Sequence, residues 1–209
     1  MFNFFDTETT DRWDFKAPWN ADNQPNLIQL GYQIFDKDRV MIKEVDVIVD
    51  ARKLSTWNGI AEGAAAVHGI DEKRMIAEGV HPEIVANNLV NDMMLCNFTI
   101  AHNNEFDMKV LNCFLFRCGY SPTIFEGKTN LCTMKPLTNV LKIKGKYGNK
   151  WPSLQEAYCN LVDTKGFEGA HDAMTDVRAC RDIFWKALDA GVVKEYEVVK
   201  AKLNVQSIS

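Results

Sequence analysis

The sequence predicts an α/β fold in which a mixed sheet is flanked by helices, and two observations carry that reading. Strand-like apolar runs open the chain, and helical periodicity alternating with short apolar runs follows. A meander joined to helical crossovers produces that order. With 209 residues and 46% hydrophobic content, the chain can enclose one sizeable core, so residues 1–209 read as a single domain.

Strands are expected over Met1 to Glu8, Leu27 to Phe35 and Met41 to Val49. The short polar turn Asp36-Lys37-Asp38-Arg39 makes at least the second pair antiparallel. A helix is expected near Gly59 to Val67, and another over Glu83 to Met94, where Pro82 suits a first helical turn. Phe98 to Ala101 reads as a short buried strand running directly into a helix, and Leu131 to Met134 as a further strand. Helices over Ser153 to Asn160 and Ala173 to Ala190 follow, the latter stopped by Gly191, with a last one from Val193 to about Leu203. The irregular stretches, an aromatic loop 11–26 and a basic loop 142–151, are too short for domains and read as loops over a site.

Four acidic residues sit where this patterning calls for apolar ones. Asp6 and Glu8 end the run Phe2-Asn3-Phe4-Phe5, and two-residue spacing on a strand points both to one face. Asp107 shares a helical face with Val110, Leu111, Phe114 and Cys118, as Asp176 does with Cys180, Ile183 and Ala187. Buried carboxylates without partners are costly, and no lysine or arginine recurs beside these. A shared divalent metal centre is the economical compensation, and two such ions support phosphodiester hydrolysis. Magnesium suits hard carboxylate oxygens while leaving positions for water and phosphate.

His171 is the candidate base. It precedes Asp176 by too much for one helical face, so it should lie ahead of the helix, with Asp172 as N-cap and Ala173 in the first turn. An imidazole there is free to approach the site, and histidine is suited to take a proton near neutral pH.

The formal net charge of -4 argues against a protein that coats DNA generally, so phosphate affinity must be local. The six cysteines form no CxxC pair and read as reduced thiols of a cytoplasmic protein, with no basic leader ahead of the first strand. No stretch is long enough to cross a bilayer, so no membrane partner is expected.

Phe5-Asp6-Thr7-Glu8-Thr9-Thr10, Ala101-His102-Asn103-Asn104-Glu105-Phe106-Asp107 and Ala170-His171-Asp172-Ala173-Met174-Thr175-Asp176 resemble the three motifs of the DnaQ-like 3'-5' exonucleases, in the histidine-containing DEDDh branch. The resemblance runs from about Phe4 to Phe184 and includes Leu27-Ile28-Gln29-Leu30-Gly31, Val67-His68-Gly69-Ile70, Leu131-Cys132-Thr133 and Ser153-Leu154. It implies an RNase-H-like fold with a central mixed five-stranded sheet. It also implies Asp6, Glu8, Asp107 and Asp176 as ligands of two Mg2+ ions, replaceable by Mn2+, with Asp6 bridging and His171 as base. Thr9, His68, Asn103 and Phe106 match positions near the terminal nucleotide. The chain departs from the family where Asp11 replaces a common glycine and where the loop to Asn26 is longer and more aromatic.

Trp13, Phe15 and Trp19 in that loop could stack on bases or form a small satellite core. Lys142, Lys144, Lys146 and Lys150, interleaved with Tyr147 and Trp151, could bind phosphate or be a solvated loop. The expected function is release of nucleoside 5'-monophosphates from DNA 3' ends, single-stranded DNA being favoured over RNA. The setting would be proofreading or DNA repair, alone or with a replication or repair partner. The alternatives are RNA trimming and a catalytically silent nucleic-acid-binding domain, and the complete set of acids and His171 argues against the second.

Overall fold

The computed structural model describes residues 1–199 and 201 of the chain. Its central sheet has five strands, β1 (Phe2–Thr9), β2 (Leu27–Phe35), β3 (Met41–Ile48), β4 (Phe98–Ala101) and β5 (Thr129–Cys132), in the order β3-β2-β1-β4-β5. The first three form an antiparallel meander, while β4 lies parallel to β1 and β5 parallel to β4. Parallel neighbours need long crossovers, and helices supply them. Ahead of β4 come α1 (Glu62–His68), α2 (Glu72–Glu78) and α3 (Pro82–Met94), between β4 and β5 lies α4 (Asn104–Arg117), and after β5 follow α5 (Leu137–Leu141), α6 (Leu154–Leu161) and α7 (Ala173–Ala190).

The alternation of β1 divides the core between the two faces of the sheet. Phe2 and Phe4 pack with Val177, Ile183 and Phe184 of α7. Phe5 points the other way, to Leu89 of α3 and to Val110, Leu111 and Phe114 of α4. All three phenylalanines are fully buried, each contributing about 1.5–3 kcal/mol by removal from water. Beyond Phe5 the same alternation continues with polar residues, which sets up the site.

Some elements differ from the sequence expectation. β5 ends at Cys132 rather than Met134, because the Cys132 Sγ accepts the Met134 and Lys135 N–H groups and turns the chain out of the sheet. α1 begins at Glu62, since Gly59 is left-handed (φ 93°) and Ala61 is extended. Ser153 is the N-cap of α6, not its first residue, in a capping box with Glu156. α2 and α5 occupy stretches to which the sequence reading assigned no element, and a short hairpin, β6 (Lys144–Gly145) with β7 (Gly148–Asn149), lies within the basic loop 142–151. After Gly191 a 3-10 turn at Lys194–Tyr196 leads into the final segment, with Val193, Tyr196 and Val199 buried. The expected extension to Leu203 falls outside the described residues. Among those described, no helix is long and apolar enough to cross a membrane. All six cysteines are free.

Candidate functional site

Pairing between β1 and β4 stops at Phe4 and Ile100. The last residues of β1 therefore run past the end of β4, where the chain turns through left-handed Asn103 (φ 77°) into α4. Asp6 and Glu8 lie opposite Gly31 and Gln29 of β2, on the face that α7 covers. Thr7 points to the opposite face, and its hydroxyl donates to Asp107 Oδ1 at 2.7 Å. Asp107 comes from the first turn of α4 and Asp176 from the first turn of α7. Helices on opposite faces of the sheet thus bring their carboxylates to one strand end.

Electrostatics couple the four carboxyls by repulsion. Burial raises the Asp6 carboxyl far above the usual carboxylate range, and Asp107, Asp176 and Glu8 raise it further. Glu8 is raised to about 8 by burial and by Asp176 and Asp107. Asp107 reaches about 7 by burial, although the Thr7 hydroxyl holds it down. Asp176 is raised to about 6, again by burial, against the lowering effect of the His171 backbone N–H and imidazole. Among the described residues, no lysine or arginine is among the leading causes of these shifts. Asp176 Oδ1 is buried with no hydrogen-bond partner among the described residues. Hard oxygen donors, mutual repulsion and an orphaned acceptor fit a divalent cation.

Glu8, His171 and Asp176 form the tightest part, each offering a ligand atom within 4.8 Å of the others. His171 is exposed and left-handed (φ 69°), and its backbone N–H donates to Asp176 Oδ2 at 3.2 Å. Asp172 caps α7 by accepting from the Thr175 N–H at 3.0 Å. Gln29, a buried polar residue of β2, holds that cap from below. Its Nε2 donates to Asp172 Oδ2 at 3.0 Å, and its Oε1 accepts the Ala173 N–H at 3.3 Å. Gly31 permits the approach, because a Cβ there would lie 2.8 Å from the backbone of Ala173 and Met174. Sequence reasoning assigned no role to Gln29, Gly31 or Thr7. A polar residue within the apolar run Leu27-Ile28-Gln29-Leu30 was the available signal for Gln29.

Beside Glu8 opens a cleft of roughly 820 Å³ whose lining includes Thr9, Trp13, Phe15, Val67, His68 and Phe106. Three of the four residues expected near a terminal nucleotide, Thr9, His68 and Phe106, line it. Asn103 does not; it sits at the entry to α4, where its carbonyl accepts the Phe106 N–H at 2.8 Å. His68 Nδ1 accepts the Ile70 N–H at 3.0 Å, so its proton is on Nε2, and burial lowers its pKa.

The long loop 11–26 is one wall of this cleft and is built in. Fully buried Gln24 bonds the Asp14 backbone in both directions. From α4, the Arg117 guanidinium donates to the carbonyls of Ala21, Gln24 and Pro25 and to Asn26 Oδ1, at 2.8–3.0 Å. The three loop aromatics divide accordingly. Trp13 joins the core, Trp19 meets Phe116 edge-on at 5.5 Å, and Phe15 remains 76% exposed. In the basic loop, Lys150 pairs with Glu156 and Lys144 bonds Asn149, while Tyr147 and Trp151 stay exposed.

Residues 4–184 match the family model RNase_T, described as an exonuclease family. No curated protein matches the chain. The zinc-bound E. coli ExoI–ssDNA complex superposes with a TM-score of 0.67 at 18% identity, covering 90% of this chain and 40% of that one. The moderately thermophilic Exonuclease I from Methylocaldum szegediense gives 0.66 at 16% identity, again with 90% and 40% coverage. At such identities the likeness is one of fold, and the chain spans about two fifths of the length of those proteins. The five-stranded mixed sheet between helical layers is the RNase-H-like architecture expected from the resemblance.

Proposed function

The chain belongs to the RNase_T exonuclease family, and on that premise we propose that it hydrolyses the terminal phosphodiester at the 3' end of single-stranded DNA, releasing nucleoside 5'-monophosphates. The observation that carries this is the set of four mutually repelling carboxylates beside His171 at the mouth of an aromatic cleft. Residues 1–209 act in this reading as one exonuclease domain. DNA is favoured because the E. coli ExoI structure of the same fold holds ssDNA.

Asp6, Glu8, Asp107 and Asp176 would hold two Mg2+ ions, with Mn2+ able to replace them. Such ions supply an acidified water and neutralise the departing oxygen. His171 takes the proton from the attacking water as the water oxygen bonds to the terminal phosphorus; the P–O3' bond breaks, and the departing oxygen takes a proton from solvent to become the new 3' hydroxyl. Asp172, clamped by Gln29, sets the start of α7 and so the positions of both His171 and Asp176. Thr7 fixes the rotamer of Asp107. Thr9, His68 and Phe106 hold the terminal nucleotide, and Asn103 sets the turn that delivers Phe106. Free cysteines suit a reducing cytoplasm, and a role in proofreading or repair fits the chemistry.

Oligonucleotides labelled at the 5' end, offered as single-stranded DNA, duplex DNA and RNA with Mg2+, test the proposal. A ladder shortening from the 3' end on single-stranded DNA, abolished by EDTA, is expected. Preferential shortening of RNA would replace DNA as substrate, and no metal-dependent shortening of any of them would overturn the proposal.

A further inference from the structure

Two exposed aromatics from separate loops, one of them on the rim of the cleft, are joined by a charged bridge across the first turns of α4. Phe15 projects from the wall loop and is 76% exposed, with the Lys109 ammonium 5.6 Å from its ring centroid. Trp151 follows the hairpin and is 60% exposed, with the Lys135 ammonium 5.6 Å from its ring centroid. Glu105 lies between them, accepting from Lys109 at 2.9 Å through one oxygen and from Lys135 through the other. Beneath this bridge runs a groove of roughly 370 Å³ lined by Glu105, Met108, Lys109, Asn112, Asn130 and Lys135 among others. Asn112 Oδ1 within it is buried and has no hydrogen-bond partner among the described residues.

The two ends of this row join other parts of the site. Phe15 also lines the cleft beside Glu8. At the far end Trp151 precedes Pro152, whose carbonyl lies 3.0 Å from His102 Nε2, while His102 Nδ1 lies 2.9 Å from the Thr133 hydroxyl. A carbonyl can only accept, so Nε2 donates to Pro152 and Nδ1 accepts from Thr133. His102 thereby ties the loop carrying Trp151 to the end of β4, next to the turn into α4.

We propose that Phe15, Lys109, Lys135 and Trp151 form a track for the DNA single strand leading away from the catalytic cleft, with Glu105 as a stand-in anion that holds the lysines until phosphates replace it. Aromatic faces flanking a pair of ammonium groups suit an unpaired strand, because bases stack without regard to sequence while the backbone pairs with cations. A duplex has no free base faces to offer. The track rests on the 3'-end reading of the preceding section, and it extends that reading to the nucleotides behind the terminal one.

The test measures anisotropy of a fluorescent oligothymidylate of about twelve nucleotides in EDTA, so that binding is read without turnover. Trp151→Ala should weaken binding by about fivefold or more, and should affect a trinucleotide by less than about twofold. Lys109→Gln combined with Lys135→Gln should flatten the salt dependence of log K by about 0.7 for each lost phosphate contact. Glu105→Gln should tighten binding several-fold at low salt, the opposite of what loss of a merely structural ion pair would do. Unchanged affinity in Trp151→Ala, weaker binding in Glu105→Gln, or a duplex bound more tightly than the single strand would each overturn the track. Wild-type hydrolysis of thymidine 5'-p-nitrophenyl phosphate with Mg2+ reports the catalytic centre separately. If it proceeds while the binding changes are absent, the track fails and the exonuclease reading stands. If both hydrolysis and the binding changes are absent, both fail.

Discussion

Asp107→Asn should make the metal-free protein more stable at alkaline pH. The carboxyl is 3% exposed and titrates at about 7 in the folded chain against an ordinary value of 3.8. A group raised on folding leaves stability intact where both states are protonated and removes it as pH climbs through the folded value. At 1.36 kcal/mol per pKa unit, the burden is about 4 kcal/mol at pH 8 and under about 2 kcal/mol at pH 5. Asparagine removes the charge and keeps an oxygen to accept from Thr7, whereas alanine would leave that hydroxyl unpartnered beside a cavity. Relaxation of the coupled acids reduces the ceiling, so a gain of about 2–4 kcal/mol at pH 8, roughly 5–15 °C in Tm, is expected. Thermal melts in EDTA at pH 5 and 8 measure it. With saturating Mg2+ the order should reverse, since the wild type then gains from metal that the variant binds poorly. A variant no more stable than wild type at pH 8 would refute the reasoning, and so would an equal gain at pH 5, which would point to packing.

Three further outcomes follow from the geometry. Because Glu8, Asp107 and Asp176 titrate at about 8, 7 and 6, Mn2+ binding at pH 7 should release protons and tighten as pH rises from 6 to 8. Calorimetric heats that do not change with the buffer's ionisation enthalpy would contradict this. His171→Ala should lower turnover at saturating metal by about 10²–10⁴ while leaving oligonucleotide affinity in place, and near-normal turnover would make His171 structural. Gly31→Ala should destabilise by about 1–3 kcal/mol as α7 is pushed off β2, whereas Gly63→Ala, which meets open space in a helix, should stabilise by about 0.4–1 kcal/mol. Chemical denaturation gives both signs, and equal effects would discount the close approach at Gly31.

The acids were legible in the sequence because each interrupts an apolar period, and such an interruption is visible without knowing what lies across from it. The pre-helical position of His171 was legible for a similar reason, since five residues cannot share a helical face with Asp176. The supports were not. Thr7 reaches Asp107 across 100 residues, and Gln29 reaches Asp172 across 143, and no local pattern encodes either contact. α2 and α5 escaped because Glu72–Glu78 and Leu137–Leu141 are too short for periodicity to stand out. Trp13 and Phe15, two residues apart in one loop, look equivalent as letters. Only the fold sends one into the core and the other into solvent.

Arg117 gives α4 a second task besides carrying Asp107. The helix presents a carboxylate at its first turn and a guanidinium at its last, separated by about 15 Å of axial rise. It therefore works as a ruler between the acids and the wall of the cleft. Inserting one residue midway would rotate Arg117 by about 100° relative to Asp107, detaching loop 11–26 while leaving the carboxylates in register. The loop is consequently a graftable part only together with its anchor. Moved alone onto a relative of the same fold it would arrive without the fork that gathers the carbonyls of Ala21, Gln24 and Pro25; moved with α4 it would carry its own attachment point.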